Sequence, residues 1–182
     1  RLLAVGSNAG VDVHRAPRTR IIDAGGRFVT PGFIDDHTHF AQAGALLTGA
    51  NLLDVSTAAP FAARVKAAVA RMSPGAWLTG GDWGAYALQT PYSPDRAIID
   101  SASGSTPVLL NRWDRSAWLA NGVALDKAAL TCELPTPGLE CAGGRATGRV
   151  SDSALVRVRR AIAPKTFDQR LREARAAQTH LA

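Results

Sequence analysis

The stretch Ile22-Asp23-Ala24-Gly25-Gly26-Arg27-Phe28-Val29-Thr30-Pro31-Gly32-Phe33-Ile34-Asp35-Asp36-His37-Thr38-His39 decides how the chain is read. A Gly-Gly turn and a short β-forming run lead into Pro31-Gly32-Phe33-Ile34, a short apolar strand that ends in an ionisable cluster. In extended backbone, residues i and i+2 point the same way, so His37 and His39 can face one metal ion from a single segment. A catalytic zinc takes three protein groups plus water, and its histidines need partners that orient their rings. Asp35 and Asp36 are the adjacent candidates for that orienting role. Taken alone, a His-x-His pair is more simply two polar residues at a strand end.

Upstream, residues 1–31 read as a small, partial β domain, with short segments at 2–5, 11–13, 20–23 and 27–30. Both ends read as cut. The chain opens on Arg1-Leu2-Leu3-Ala4-Val5 as if inside a strand, with no signal pattern, and closes within a helical pattern that has no stop residue. Downstream, residues 41–50 are small and apolar. Thr57 as cap and Pro60 in the first turn then open a helix whose Phe61, Val65, Val69 and Met72 form one stripe, stopped by Ser73-Pro74-Gly75. Strands are expected at 77–79 and 107–110, with a Pro-rich loop over 89–96 between them, and then a helix over 119–130. Gly143-Gly144 reads as a hairpin tip. Helices over 151–162 and 166–182 follow, broken at Pro164; in the second, Phe167, Leu171, Ala174 and Leu181 share a face.

Of the 182 residues, 46% are hydrophobic and 20% charged, the balance of a soluble globular chain with enough apolar material for a core. The longest stretch without a formal charge, 37–53, is interrupted by His, Gln, Thr and Asn, which excludes a transmembrane helix. The net charge of +6 invites a nucleic-acid reading. Yet the cations, mostly arginines, are scattered, and the densest group, Arg157, Arg159 and Arg160, lacks interleaved aromatics, so a solvated face is the better account. Cys132 and Cys141 are too few for a disulfide scaffold or a four-ligand zinc site; they read as two free thiols, with a single bridge as the alternative.

The segment 22–39 closely resembles the signature that opens the metal-dependent amidohydrolase superfamily. Trp77-Leu78-Thr79-Gly80-Gly81-Asp82-Trp83, Pro107-Val108-Leu109-Leu110-Asn111-Arg112-Trp113-Asp114, Leu119-Ala120-Asn121 and Ala146-Thr147-Gly148 resemble its amidohydrolase-3 branch. That branch contains N-substituted formamide deformylases and exoenzyme-regulatory-type proteins. The resemblance implies an α/β fold: the N-terminal part of a (β/α)8 (TIM) barrel with a small β-sandwich domain. The corresponding division is a partial β domain at 1–31, the first barrel strand with the His-x-His pair at 32–40, an α+β insertion at 41–150, and helices returning to the barrel at 151–182. It further implies a divalent metal, zinc, one or two per full-length subunit, with His37 and His39 as ligands.

The family's remaining ligands and its proton-shuttling Asp come from later strands than this sequence contains, so no catalytic residue is named. The implied reaction is hydrolysis of carbon–nitrogen bonds other than peptide bonds, in amide or formamide-like small molecules, by metal-activated water. Arg112, Trp113 and Asp114 are candidates for lining the substrate mouth; a buried ion pair beside a core Trp explains them equally well, and Arg112 could stack on a Trp. One departure concerns substrate: many members carry Gly-His after the Asp of this motif, where the present chain has Arg115-Ser116.

The expected partner is a small-molecule substrate, with neither nucleic acid nor membrane; homo-oligomerisation is left open, and the compartment leans cytoplasmic. The alternative reading is a non-catalytic truncated fragment or binding module, because a complete barrel needs about 250 residues. On either reading the 182 residues alone are expected to be inactive and to bind zinc weakly.

Overall fold

In the computed structural model, which describes residues 2–86 and 92–181, the chain divides into two units, Arg1–Thr38 and His39–Ala182. Positions 89–91 of the expected Pro-rich loop, and the closing Ala182, lie outside the described residues.

The first unit corrects the expectation of a β layer. Among its described residues there is no strand, and its one regular element is the short helix α1 (Asn8–Asp12). Ser7 caps α1 by accepting the Gly10 N–H at 3.2 Å, which turns 11–13 away from a strand. The turn at Gly25-Gly26 does form: both glycines have positive φ, and Asp23 Oδ1 accepts the Gly25 N–H at 2.8 Å. The expected first barrel strand, 32–40, is not a strand either. A strand needs a partner for its backbone N–H and C=O groups and a surface on which to bury its apolar face. No segment of this unit supplies the pairing, and Phe28 and Phe33 are 101% and 95% exposed.

The second unit is built on five strands in the order β1-β2-β3-β5-β4. They are β1 (Leu78–Trp83), β2 (Val108–Arg112), β3 (Trp118–Ala120), β4 (Leu139–Ala142) and β5 (Arg145–Val150). The parallel pair β1 and β2 is joined through helix α4 (Arg96–Ser103), and every other pairing is antiparallel. Parallel strands require such a crossover, so 78–112 is a strand–helix–strand unit. Within β2 the side chains alternate. Val108 and Leu110 join Phe61, Val65, Ile99 and Trp83 in one core, whereas Leu109 joins Leu125, Val150, Ala154 and Val158 in a second. Each such buried Val or Leu contributes about 1.5–3 kcal/mol. A strand buried on both faces has the continuous apolar run seen at Val108-Leu109-Leu110.

The helices flank this sheet. The stripe read from the sequence on α3 (Ala58–Val69) buries Phe61 and Val65, together with Ala68. Thr57 is its N-cap residue by position, without a side-chain capping bond. The helix expected over 119–130 is instead β3 followed by α5 (Gly122–Lys127), because the fully buried Asn121 ends the strand and caps the helix. The hairpin at Gly143-Gly144 forms as expected. Beyond it lie α6 (Asp152–Ala161) and α7 (Phe167–Leu181).

The face expected on α7 is corrected. Phe167 and Leu181 are exposed, and the helix buries Glu173 and Ala177. It lies against α2 (Phe40–Thr48) at Gly44, where a Cβ would stand 2.1 Å from the Glu173 carbonyl oxygen. The buried Glu173 carboxylate is held by Lys165 Nζ at 2.8 Å. The cysteines are not free thiols: Cys132 and Cys141 form a disulfide that ties the segment after α5 to β4. No described helix is long and apolar enough to cross a membrane.

Candidate functional site

Strand β1 ends in a distorted turn. Its register with β2 shifts between Gly80 and Trp83, and Gly80, Gly81 and Asp82 all have positive φ, at 91°, 93° and 46°. Glycine adopts this region freely, but Asp82 is there at a cost of about 1–2 kcal/mol. Strain of this kind concentrates at functional positions. The distortion leaves the Asp82 carboxylate only 5% exposed, and no cation pairs with it among the described residues. Two amides hold it instead: Gln42 Nε2 donates to Oδ2 at 2.7 Å, and Asn111 Nδ2, from the end of β2, donates to Oδ1. Asn111 Nδ2 also donates to the Arg112 carbonyl at 2.8 Å.

This arrangement fixes the direction of a relay. A carboxylate only accepts, so the NH2 of Gln42 is on the Asp82 side and its Oε1 is left for another partner. That partner is His39, whose Nδ1 lies 3.3 Å from Gln42 Oε1. Because Oε1 can only accept, the ring donates to it from Nδ1. Metal-binding histidines commonly donate one ring N–H to an oxygen that orients the ring, as His39 does here. Gln42 reaches both partners because it lies one turn into α2, of which His39 is the N-cap residue.

His39 therefore opens a helix, with φ −86° and ψ 52°, and does not end a strand. His37 lies in the first unit, and its backbone N–H is accepted by Asp35 Oδ1 at 3.0 Å. Asp35 thus uses a carboxylate oxygen on a backbone amide, and Asp36 is exposed. Of the two imidazoles singled out from sequence, that of His39 is oriented by an amide oxygen. Among the described residues no three His, Cys, Asp or Glu side chains come together as a complete set.

Arg112, Trp113 and Asp114 sit on the turn between β2 and β3. The reading as a buried ion pair beside a core Trp is corrected, since Trp113 and Asp114 are exposed and Arg112 Nε stands 3.6 Å from Asp114 Oδ2 at the surface. Asp114 is committed to the turn. Its Oδ1 accepts both the N–H and the hydroxyl of Ser116, at 3.0 and 2.7 Å. These bonds, with a smaller contribution from Arg112, hold its carboxyl below the usual carboxylate range. The stacking contact expected of Arg112 is made elsewhere, by Arg159 over Trp118 at 4.3 Å.

A pocket of about 270 Å³ opens beside Asp82, within the second unit. Gln42, Asp82 and Asn111 are its polar lining, Leu46, Leu109 and Trp118 part of its apolar wall, and Arg115 and Arg159 its cations. None of these residues was singled out for a role from sequence. The available signal was Gly80-Gly81-Asp82, an ionisable residue directly after an apolar strand, the same pattern that drew attention to His37 and His39.

Residues 20–182 match the sequence model of the amidohydrolase family. The chain belongs to this family, in its amidohydrolase-3 branch. It is 33% identical over 174 residues to Protein LONG AFTER FAR-RED 3 of Arabidopsis thaliana, covering 93% of this chain and 30% of that protein. It is 29% identical over 143 residues to the N-substituted formamide deformylase of Arthrobacter pascens, covering 75% of this chain and 26% of the relative. An uncharacterized metal-dependent hydrolase from Pyrococcus furiosus superposes on 83% of this amidohydrolase chain and 29% of its own length, with a TM-score of 0.55 and 25% identity. The chain thus spans less than a third of each of these relatives, and the fold they share with it is mixed α/β.

Proposed function

We propose that the protein containing this chain is a metal-dependent hydrolase of carbon–nitrogen bonds other than peptide bonds, acting on small amide or formamide-like molecules. The observation that carries this reading is the Asp82–Gln42–His39 relay, which orients the His39 ring at the start of α2. Family membership and the deformylase among the relatives support the reaction class. His37 and His39 would hold a divalent metal, zinc, with further ligands from outside the described residues. Bound there, the metal supplies Lewis acidity towards the scissile carbonyl and lowers the pKa of water towards about 7.

The rest is the work of this chain's own side chains. Gln42 keeps the His39 ring in one tautomer, and Asp82 and Asn111 keep Gln42 from flipping. Leu46, Leu109 and Trp118 give the adjoining pocket an apolar wall against which the uncharged part of a substrate would pack. Arg112, half-buried at the end of β2, and Trp113, exposed on the turn that follows, are proposed to line the substrate mouth.

Steady-state hydrolysis of N-formyl and N-acetyl amines by the full-length protein tests the reading. Activity is expected to vanish on chelation and to return with zinc. Turnover that survives complete metal removal contradicts it. The 182 residues alone, whose described part assembles no three-ligand group, are expected to bind zinc weakly and without fixed stoichiometry.

A further inference from the structure

Two arginines on the pocket beside Asp82 have no ion-pair partner among the described residues. Each is nevertheless held. Arg159 stacks on Trp118, itself part of the pocket wall, so its planar guanidinium lies against a fixed surface. Arg115 stands at the tip of the β2–β3 turn with φ 62°, a conformation that favours glycine. The tip is fixed on both sides of it. The Arg115 N–H donates to the Arg112 carbonyl at 2.9 Å, and Ser116 donates its N–H and hydroxyl to Asp114. A strained backbone that presents a cation to a pocket is costly to maintain for turn geometry alone, because glycine would make the same turn without strain.

The geometry points to a carboxylate-binding subsite formed by Arg115 and Arg159, so that this protein selects small amides carrying a carboxylate. The guanidinium fork matches a carboxylate in shape and charge. In the same pocket lining, Asp82 accepts one amide N–H on each oxygen and retains acceptor capacity on both, enough for the N–H of a bound amide. A pocket of about 270 Å³ suits a metabolite-sized molecule. The proposal deepens the hydrolase reading, on which the word "substrate" rests, but the binding preference can be read without turnover.

The test is a calorimetric or NMR titration of the metal-free protein with two probes of the same shape, N-formyl-β-alanine and its neutral carboxamide. The acid is expected to bind at least about tenfold more tightly. Arg115→Gly and Arg159→Gln should each remove most of that preference. Arg160→Gln, on the same helix but outside the pocket, should keep it and so controls for the overall positive charge. Arg115→Gly also relieves the left-handed strain, so its melting temperature should rise while its discrimination falls, which separates a binding role from a folding role. Equal affinity for the two probes overturns the proposal. So does a preference that survives Arg115→Gly, or one that Arg160→Gln weakens as much as Arg159→Gln. Metal-independent turnover, by contrast, would remove the hydrolase mechanism and leave this affinity ratio intact.

Discussion

Asn121 makes four hydrogen bonds from a fully buried side chain in the second unit. It is 0% exposed, its Oδ1 accepts the N–H groups of Val108 and Ala124 at 2.9 Å each, and its Nδ2 donates to Ser103 Oγ and the Thr106 carbonyl at 2.9 and 2.8 Å. One side chain thereby ends β3, caps α5 and pins the start of β2. Asn121→Ala strands these buried groups and removes a cap, so a loss of about 3 kcal/mol in unfolding free energy is expected from urea titration. A change below about 1 kcal/mol would mean that water replaces the amide. At this scale His39 was legible as a candidate because two histidines one residue apart are conspicuous, whereas the Asp82–Gln42 contact joins side chains 40 residues apart in sequence and leaves no local pattern.

Among the elements, the pairing of α2 with α7 depends on Gly44. A methyl group at this position meets the Glu173 backbone oxygen at 2.1 Å, and backbone cannot swing aside as a side chain can. Gly44→Ala is therefore expected to destabilise by about 1–3 kcal/mol, even though alanine is the better helix former. Thermal melts followed by circular dichroism check this, and an unchanged or raised melting temperature would show that the helices separate freely.

A second link joins the segment before α3 to the helix. Arg64 binds Asp54 through both guanidinium nitrogens, Nη2 to Oδ2 at 3.0 Å, and Nη1 also donates to the Asn51 carbonyl at 2.9 Å. The Arg64 hydrogen bonds hold the Asp54 carboxyl below its ordinary value of 3.8. A carboxyl lowered on folding contributes stability that is complete above the unfolded pKa and is lost as pH falls through the folded one. The pair's contribution to the melting temperature should thus be constant with pH near neutrality and decline below about pH 4. Asp54→Asn should flatten that decline, and an acid limb unchanged by the substitution would show that the exposed pair contributes nothing.

Element positions were legible where the pattern is local. The α3 stripe, the apolar run of β2 and the Gly143-Gly144 hairpin needed only neighbours along the chain. The face of α7 was not legible, because a glycine on another helix decides which side packs.

For the molecule as a whole, the two units differ in how far they obey their own sequence. The second has two cores about one sheet, and there the apolar periodicity and the fold agree. In the first, segments of β-forming composition remain unpaired, since strand propensity expresses itself only where a partner edge exists. The same dependence explains why family membership was readable from linear motifs, while the pocket with Arg115, Arg159 and Asp82 emerged only once distant segments were brought together.

The central claim, that His37 and His39 are metal ligands in a hydrolase, is tested most directly by measuring zinc bound to the full-length protein after dialysis, for the wild type and for His37→Ala/His39→Ala. The account predicts at least about one zinc ion per chain in the wild type and its loss from the double variant, with circular dichroism unchanged. Equal zinc retention in both proteins would contradict it.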